Sequence, residues 1–210
     1  MYQIHGIDFS FNTTKLIYVA EALGLDYDYI KIDMAKGEHK SLDHGARHPL
    51  GKLPTLTHHG KVLFESGAIC RYLANVAESP LYPINDFYKR ALVDQWMDFF
   101  TAHLGRWLGT LLFEKRVKEA FFGKPADPKV IEESHAFISQ QMQAVEKHLS
   151  ESTYFAGEDL SIADLFAFAY IETTPLSEVS LEPYPQLQAW FKKIQGLPSV
   201  GAAQKKLGRG

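Results

Sequence analysis

The sequence predicts an α/β domain followed by an all-α domain, on three observations. Short alternating strand segments interleave with amphipathic helices over roughly the first eighty residues. A stretch with two prolines, SPLYPIND, then reads as a linker. Beyond it strand patterns stop, and every periodic segment has helical spacing.

Tyr2-Gln3-Ile4-His5 reads as a short strand that ends at Gly6. KLIYVAEAL, Lys15 to Leu23, carries apolar residues at helical spacing and stops at Gly24, a good C-terminal cap. Tyr27 to Asp33 alternates as a half-buried strand. Lys36 to Gly51 has no period and reads as an irregular surface segment. GKLPTLTHHGKVLF reads as a hairpin, its strands Leu53 to Thr57 and Val62 to Phe64 joined by a turn at His58-His59-Gly60-Lys61. Pro54 is anomalous there, because proline cannot donate to a ladder and belongs at an edge, a strand start or a special turn. Ser66 to Ala77 reads as a helix with Ser66 as a natural N-cap. Phe87 to Lys118 reads as one long helix, broken by GKPADP before a second helix over Lys129 to Leu149. Leu160 to Ile171 and Pro185 to Gln195 are further amphipathic helices, the first opened by a capping box of Ser161 and Asp164 whose role is structural. The domains are placed at residues 1–79 and 87–210.

Composition narrows the class. The 210 residues are 46% hydrophobic and 22% charged, ordinary values for a soluble globular protein. A net charge of −3 and no basic face argue against nucleic-acid binding. The apolar runs are too short to span a membrane, and MYQIHGIDF lacks the charged start and apolar core of a signal peptide. One cysteine, Cys70, excludes an internal disulfide and fits a reducing cytoplasm; its place between Ile69 and Leu73 marks a buried, inert thiol. The expected location is therefore cytoplasmic. His39, His44 and His48 are irregularly spaced without a cysteine or carboxylate frame, and His58-His59 fills a turn, so no metal site is expected.

Read together, HGIDFSFNTTKLIYVAEALGLDYDYIKIDMAKGEHKS, HPLGKLPTL and LFESGAICRYLA resemble the thioredoxin-like half of cytosolic glutathione transferases. DLSIADLFAFAYI resembles their helical domain, and SLEPYPQLQAWFKKIQGLP the closing helix common in bacterial members. The spacing from Gly37-Glu38-His39-Lys40 to Lys52-Leu53-Pro54 is similar to that of the serine-type, phi- and theta-like subgroup. The resemblance covers nearly the whole chain. One departure is His48-Pro49-Leu50-Gly51, where the family usually has Asn-Pro before x-Gly.

The resemblance implies the fold, the activity and the site. The fold would be a thioredoxin-like α/β domain at 1–79 and an all-helical domain at 87–210 that contributes the electrophile pocket. Glutathione would be a co-substrate, with no other cofactor. Pro54 would be cis, and the Leu53 backbone would pair with the cysteinyl unit in strand fashion. Ser66 would take the γ-glutamyl carboxylate at a helix start, and Glu65 the γ-glutamyl ammonium. Lys52, with His39 and Lys40, would face the glycine carboxylate. The thiolate is the reacting form of glutathione, so an enzyme must lower the thiol's pKa. Ser10 stands at the family's catalytic serine, just before a helix expected to begin near Thr13 or Thr14, with Asn12 as a second donor and Thr13 as a third candidate or, in preference, a cap. Tyr2 is rejected as the catalytic hydroxyl because it precedes the strand. Phe9, Phe11, His103, Arg106, Trp107 and Phe113 are the candidate walls for a small hydrophobic electrophile. The family is dimeric, which implies a homodimer. The alternatives are a glutathione-dependent peroxidase using the same site, or a transferase-like module that binds partners without catalysis. Such modules often lose the serine or the Glu-Ser pair, and this chain keeps both.

Overall fold

The computed structural model describes residues 1–209. It resolves into two compact units, Met1–Asn85 together with the segment that begins at Gly196, and Asp86–Gln195.

The first unit is built on a four-stranded mixed sheet in the order β2-β1-β3-β4. Strands β1 (Tyr2–Gly6) and β2 (Tyr27–Lys31) run parallel, so they need a crossover, which helix α1 (Phe11–Ala22) supplies. Strands β3 (Thr55–His58) and β4 (Lys61–Phe64) form the antiparallel hairpin, with β3 paired to β1. Pro54 thus lies immediately before β3 rather than inside it, where it removes no ladder donor. Helix α3 (Ser66–Val76) packs against α1. Their buried faces, Leu16, Ile17, Tyr18 and Val19 from α1 and Ile69, Cys70 and Leu73 from α3, close over Ile4 and Leu56 of the sheet. Cys70 is fully buried, and burial pushes its thiol up to about 12, so it stays inert at neutral pH.

Two parts of this unit depart from the sequence reading. The segment expected to be irregular holds a 3-10 turn, Glu38–Lys40, and a short helix α2 (Leu42–Arg47). Its stability is local: the Ser41 hydroxyl accepts from the His44 N–H at 3.1 Å, and Arg47 pairs with Asp43 one turn away. A six-residue helix held by its cap has no run of apolar repeats to read. The C-terminal helix α10 (Pro198–Lys206) packs on α1, with Val200 and Ala203 buried. The helical domain expected to reach residue 210 therefore ends at Gln195, because apolar burial ties the last helix to the first unit.

His5 on β1 is 5% exposed, and its Nε2 lies 3.4 Å from the Thr57 hydroxyl. Burial, reinforced by the positive fields of Arg47 and His44 and offset in part by Asp43, lowers its pKa from 6.5 to about 4. Between those values the unfolded chain binds a proton that the folded chain refuses, so stability falls as pH falls through this window. Urea unfolding near pH 7.5 and near pH 4.5 is expected to show a loss of about 2 kcal/mol from this residue. The same comparison on His5→Leu is expected to lose that part of the slope; an unchanged slope would assign it to other groups.

The second unit is all helical: α4 (Phe87–Ala102), α5 (Leu104–Leu112), a π-helical stretch (Phe113–Val117), α6 (Lys118–Phe122), α7 (Pro128–Glu151), α8 (Ile162–Ile171) and α9 (Pro185–Gln195). The long helix expected over Phe87 to Lys118 is interrupted at His103, whose φ of −119° and ψ of −103° lie outside the helical region. Two residues on, a Cβ at Gly105 would meet the Phe100 carbonyl at 2.2 Å and the Tyr170 ring at 2.6 Å. The bend thus brings the backbone against a core aromatic on α8, an approach only glycine permits. Helix α8 is the centre of the unit, buried at every position from Ile162 to Ile171. It is hydrophobic all round, as a helix enclosed by others must be, and it touches α4, α5 and α9. Around its start Phe155 packs edge-on to Phe100 and Trp190, with ring centroids 5.0 and 4.8 Å apart.

Candidate active site

The site is assembled at the ends of three elements of the first unit. At the end of β1 the chain turns into α1, and the two are locked together by Thr13. Its hydroxyl accepts from the Ile7 N–H at 3.2 Å, and its methyl lies where a Cβ on Gly6 would be, 2.4 Å away. Thr13 is fully buried and ties strand to helix; it does not cap α1. The helix begins at Phe11, two residues before the expected start, which makes Ser10 the N-cap residue. Its backbone is extended, its carbonyl accepts from Thr13 and Thr14 at 2.9 and 3.0 Å, and its hydroxyl makes no capping bond.

Asn12 is the second residue of α1 and lines a cavity. The cavity, of about 140 Å³, is lined by Asn12, His48, Lys52, Leu53, Pro54, Glu65 and Ser66. That is smaller than the roughly 300–1,000 Å³ that encloses a whole drug-sized ligand, so it is a notch for part of one. Six of the residues expected at the site from sequence are gathered here. Ser10, Phe9, Phe11, His39 and Lys40 are not among its lining residues.

The Leu53–Pro54 peptide bond is cis. The loop before it is held from beneath by His44, buried on α2, whose Nε2 lies 3.0 Å from the Lys52 carbonyl and donates to it. Lys52 itself is exposed. Beside it Gly51 has φ +61°, and a Cβ there would meet the His39 carbonyl at 3.2 Å. The 3-10 turn that carries His39 and exposed Lys40 thus rests against the approach to Lys52.

At the far side of the notch β4 gives way to α3. Ser66 is the first residue of the helix rather than its N-cap, a position taken by Glu65. Glu65 has φ +69° and ψ +112°, a conformation that costs a non-glycine residue about 1–3 kcal/mol and that clusters at ligand sites. Its carboxylate makes no capping bond to the helix. Ser66 sits where the N–H groups of the first turn are without helical partners, a natural anion position.

His48 is a site residue the sequence reading did not assign. It is 4% exposed, its Nδ1 accepts from the Leu50 N–H at 3.0 Å, and its ring tilts against Phe64 with centroids 4.8 Å apart. The signal was present as the departure from Asn-Pro: here the imidazole, not an asparagine amide, holds the turn.

In the helical unit His103 stands at the bend between α4 and α5, with Phe99 5.4 Å away. The Trp107 ring stacks on Phe137 at 4.5 Å and 9°, joining α5 to α7, and the guanidinium of Arg106 lies 5.1 Å from the Trp107 centroid. Trp107 is thus largely spent on packing, while His103 and Arg106 are exposed. Phe9, in the first unit, is 53% exposed.

A thioredoxin-like sheet with a cis-proline loop, followed by an all-helical unit, defines the glutathione transferase fold. Residues 2–75 match the N-terminal domain of glutathione S-transferases and residues 112–198 their C-terminal domain. A probable glutathione S-transferase, GSTF2, from rice is 33% identical over 94% of this chain and 93% of its own length. Glutathione S-transferase I from maize, solved with an atrazine–glutathione conjugate, superposes with a TM-score of 0.87 at 30% identity over 99% and 98% of the two chains. A glutathione S-transferase from Pseudomonas fluorescens superposes at 0.84 with 28% identity over 94% and 96%. The chain belongs to the glutathione S-transferase family. The sequence resemblance pointed to bacterial members; the curated relatives are plant proteins, with a bacterial structure also similar.

Proposed function

We propose that the chain is a serine-type glutathione transferase. The observation that carries this reading is the notch itself, which gathers Asn12, Lys52, Leu53, Pro54, Glu65 and Ser66 from three separate stretches of sequence. Glu65 receives the γ-glutamyl ammonium and Ser66 the γ-glutamyl carboxylate, at the positive end of α3. The Leu53 backbone pairs with the cysteinyl unit, and Lys52, with His39 and Lys40, faces the glycine carboxylate. Ser10 and Asn12 donate to the sulfur, favouring the thiolate over the thiol. The thiolate attacks an electrophilic carbon, its lone pair forming the C–S bond as the leaving group departs with the bonding electrons. The maize relative's bound atrazine–glutathione conjugate supports small apolar electrophiles as the second substrate, with Phe9, Phe11, His103, Arg106 and Trp107 as candidate contacts. Detoxification in the cytoplasm, as a homodimer, is the setting this reading implies.

Calorimetric titration with glutathione tests the binding half. Ser66→Ala is expected to weaken affinity about tenfold, because a hydrogen bond to a charged group contributes roughly 1.5–3 kcal/mol. Its melting temperature is expected to stay close to that of the parent, since Ser66 is not the cap of α3. Absence of any heat with the parent protein would overturn the reading and favour a partner-binding module. Binding without conjugation of a chloronitrobenzene would move the activity to peroxides.

A further inference from the structure

A lysine is buried directly beneath the site. Lys15 on α1 is 1% exposed, and its Nζ lies 2.7 Å from Asn12 Oδ1 and 5.1 Å from the centre of the Phe11 ring. Burial drives its pKa well below lysine's ordinary range, with the fields of Cys70 and the Glu65 carboxylate working the other way. A buried lysine is costly, and a helix facing a hydrophobic core has no need of one at this position. The other buried positions of the helix are filled by apolar Leu16, Ile17, Val19 and Ala20 or by the uncharged hydroxyl side chains of Thr13, Thr14 and Tyr18.

The geometry has a chemical consequence for Asn12. An asparagine side chain offers one acceptor oxygen and one NH₂ donor group. An ammonium carries three donors and no acceptor, a neutral amine two donors and one acceptor, and the atom of Asn12 that faces Lys15 Nζ at 2.7 Å is the amide oxygen. Lys15 therefore holds the amide oxygen on the protein side, and the NH₂ group is the part of Asn12 left for the notch it lines. We propose that Lys15 is a positioning residue that fixes the rotamer of the Asn12 amide, so that Asn12 presents donors alone to the sulfur of bound glutathione. Without Lys15 the amide turns freely, and in half of its orientations a carbonyl oxygen faces the developing thiolate. The proposal rests on the reading of Asn12 as a thiolate donor given above.

The test is a titration of enzyme-bound glutathione, followed by the ultraviolet absorbance of the thiolate, with steady-state conjugation on the same samples. Lys15→Met keeps the length and apolar stem of the side chain. It is expected to raise the apparent pKa of the bound thiol by about one unit and to lower kcat about tenfold at neutral pH, with KM for glutathione changed less than about twofold. Lys15→Arg, which keeps charge and donors, is expected to restore most of the shift. In an Asn12→Ala background Lys15→Met is expected to move the titration by less than about 0.3 units, because there is no amide left to position. An equal shift in both backgrounds would overturn the proposal in favour of a direct field effect on the sulfur. No shift in the parent background would overturn it outright. Asn12→Asp supplies a check that leaves Lys15 in place: it puts an oxygen where the NH₂ group stands and is expected to be worse than Asn12→Ala. An Asn12→Asp enzyme as active as Asn12→Ala would also overturn the proposal. If Asn12→Ala alone leaves the thiol titration unchanged, the failure lies in the assignment of Asn12 itself.

Discussion

Ser10→Ala is expected to lower kcat for conjugation by about 10²–10³-fold while leaving the fold intact. The magnitude is that of removing one preorganised donor aimed at a developing anion, about 2.7–4 kcal/mol. Expressed as a titration, the thiol of bound glutathione would rise by about 2–3 units, so the thiolate fraction at neutral pH would fall by the same factor. The local geometry separates this from a stability effect. An N-cap serine ordinarily contributes about 0.5–2 kcal/mol through a side-chain bond to the first turn. Ser10 occupies the N-cap position of α1, yet its hydroxyl makes no such bond, and the helix start is secured by backbone bonds from Thr13 and Thr14. Its replacement is therefore expected to shift the denaturation midpoint by less than about 0.5 kcal/mol. Turnover unchanged in Ser10→Ala would remove the serine from the chemistry and leave Asn12 as the donor. A collapse of stability alongside turnover would make the residue structural.

The parts of this molecule that were legible in the sequence are those whose cause is local. The β3–β4 hairpin follows from alternation around His59-Gly60, and the capping box of α8 from Ser161 and Asp164 three residues apart, with both reciprocal bonds formed. Lys52, Leu53, Pro54, Glu65 and Ser66 were legible through the resemblance, because they stand in two compact motifs, Lys-Leu-Pro and Glu-Ser, whereas His48 was not. What was not legible depends on partners distant in sequence. Helix α10 joins the first unit because Val200 and Ala203 find α1, a contact no periodicity announces. The bend at His103 depends on Gly105 meeting Tyr170, sixty-five residues away by number. Thr13 and Ser66 show the limit of capping rules: both lie one to three positions inside helices that begin earlier than their side chains suggest. Lys15 was read only as the start of the helical run Lys15 to Leu23, and lysine is so seldom buried that nothing in that run marks it as a core residue. Its bond to Asn12 is an i, i+3 contact within α1; only its burial depends on α1 closing over the sheet.

Asp164→Ala is expected to be the most destabilising single change in the helical unit, by about 4–5 kcal/mol. The carboxylate is fully buried and accepts four hydrogen bonds, from the Phe155 N–H at 3.0 Å, the Ser161 N–H at 3.0 Å, the Ser161 hydroxyl at 2.8 Å and the Trp190 indole N–H at 3.0 Å. Burial pushes its pKa up, and all four donors push the other way, so the ion is held by its partners rather than by solvent. One side chain thereby joins the loop at Phe155, the start of α8 and the indole of α9. Alanine removes the acceptor and leaves three buried N–H groups unpaired, each costing about 1–3 kcal/mol, and half of the capping box is lost as well. Water entering the vacated space would recover part of that cost, which is why the sum is set near the lower bound. A loss of this size is a large share of the roughly 5–15 kcal/mol that holds a typical fold. It corresponds to a fall in melting temperature of about 10 °C or more for a chain of this length. Asp164→Asn retains one acceptor but turns an NH₂ group towards N–H donors, so it is expected to recover less than half of the loss. Because all four hydrogen bonds to Asp164 come from the helical unit itself, the folded fraction of Asp164→Asn at low temperature is expected to bind glutathione with the parent affinity. Weakened binding by fully folded Asp164→Asn would show that the two units are energetically coupled through α8, and would count against its purely structural role.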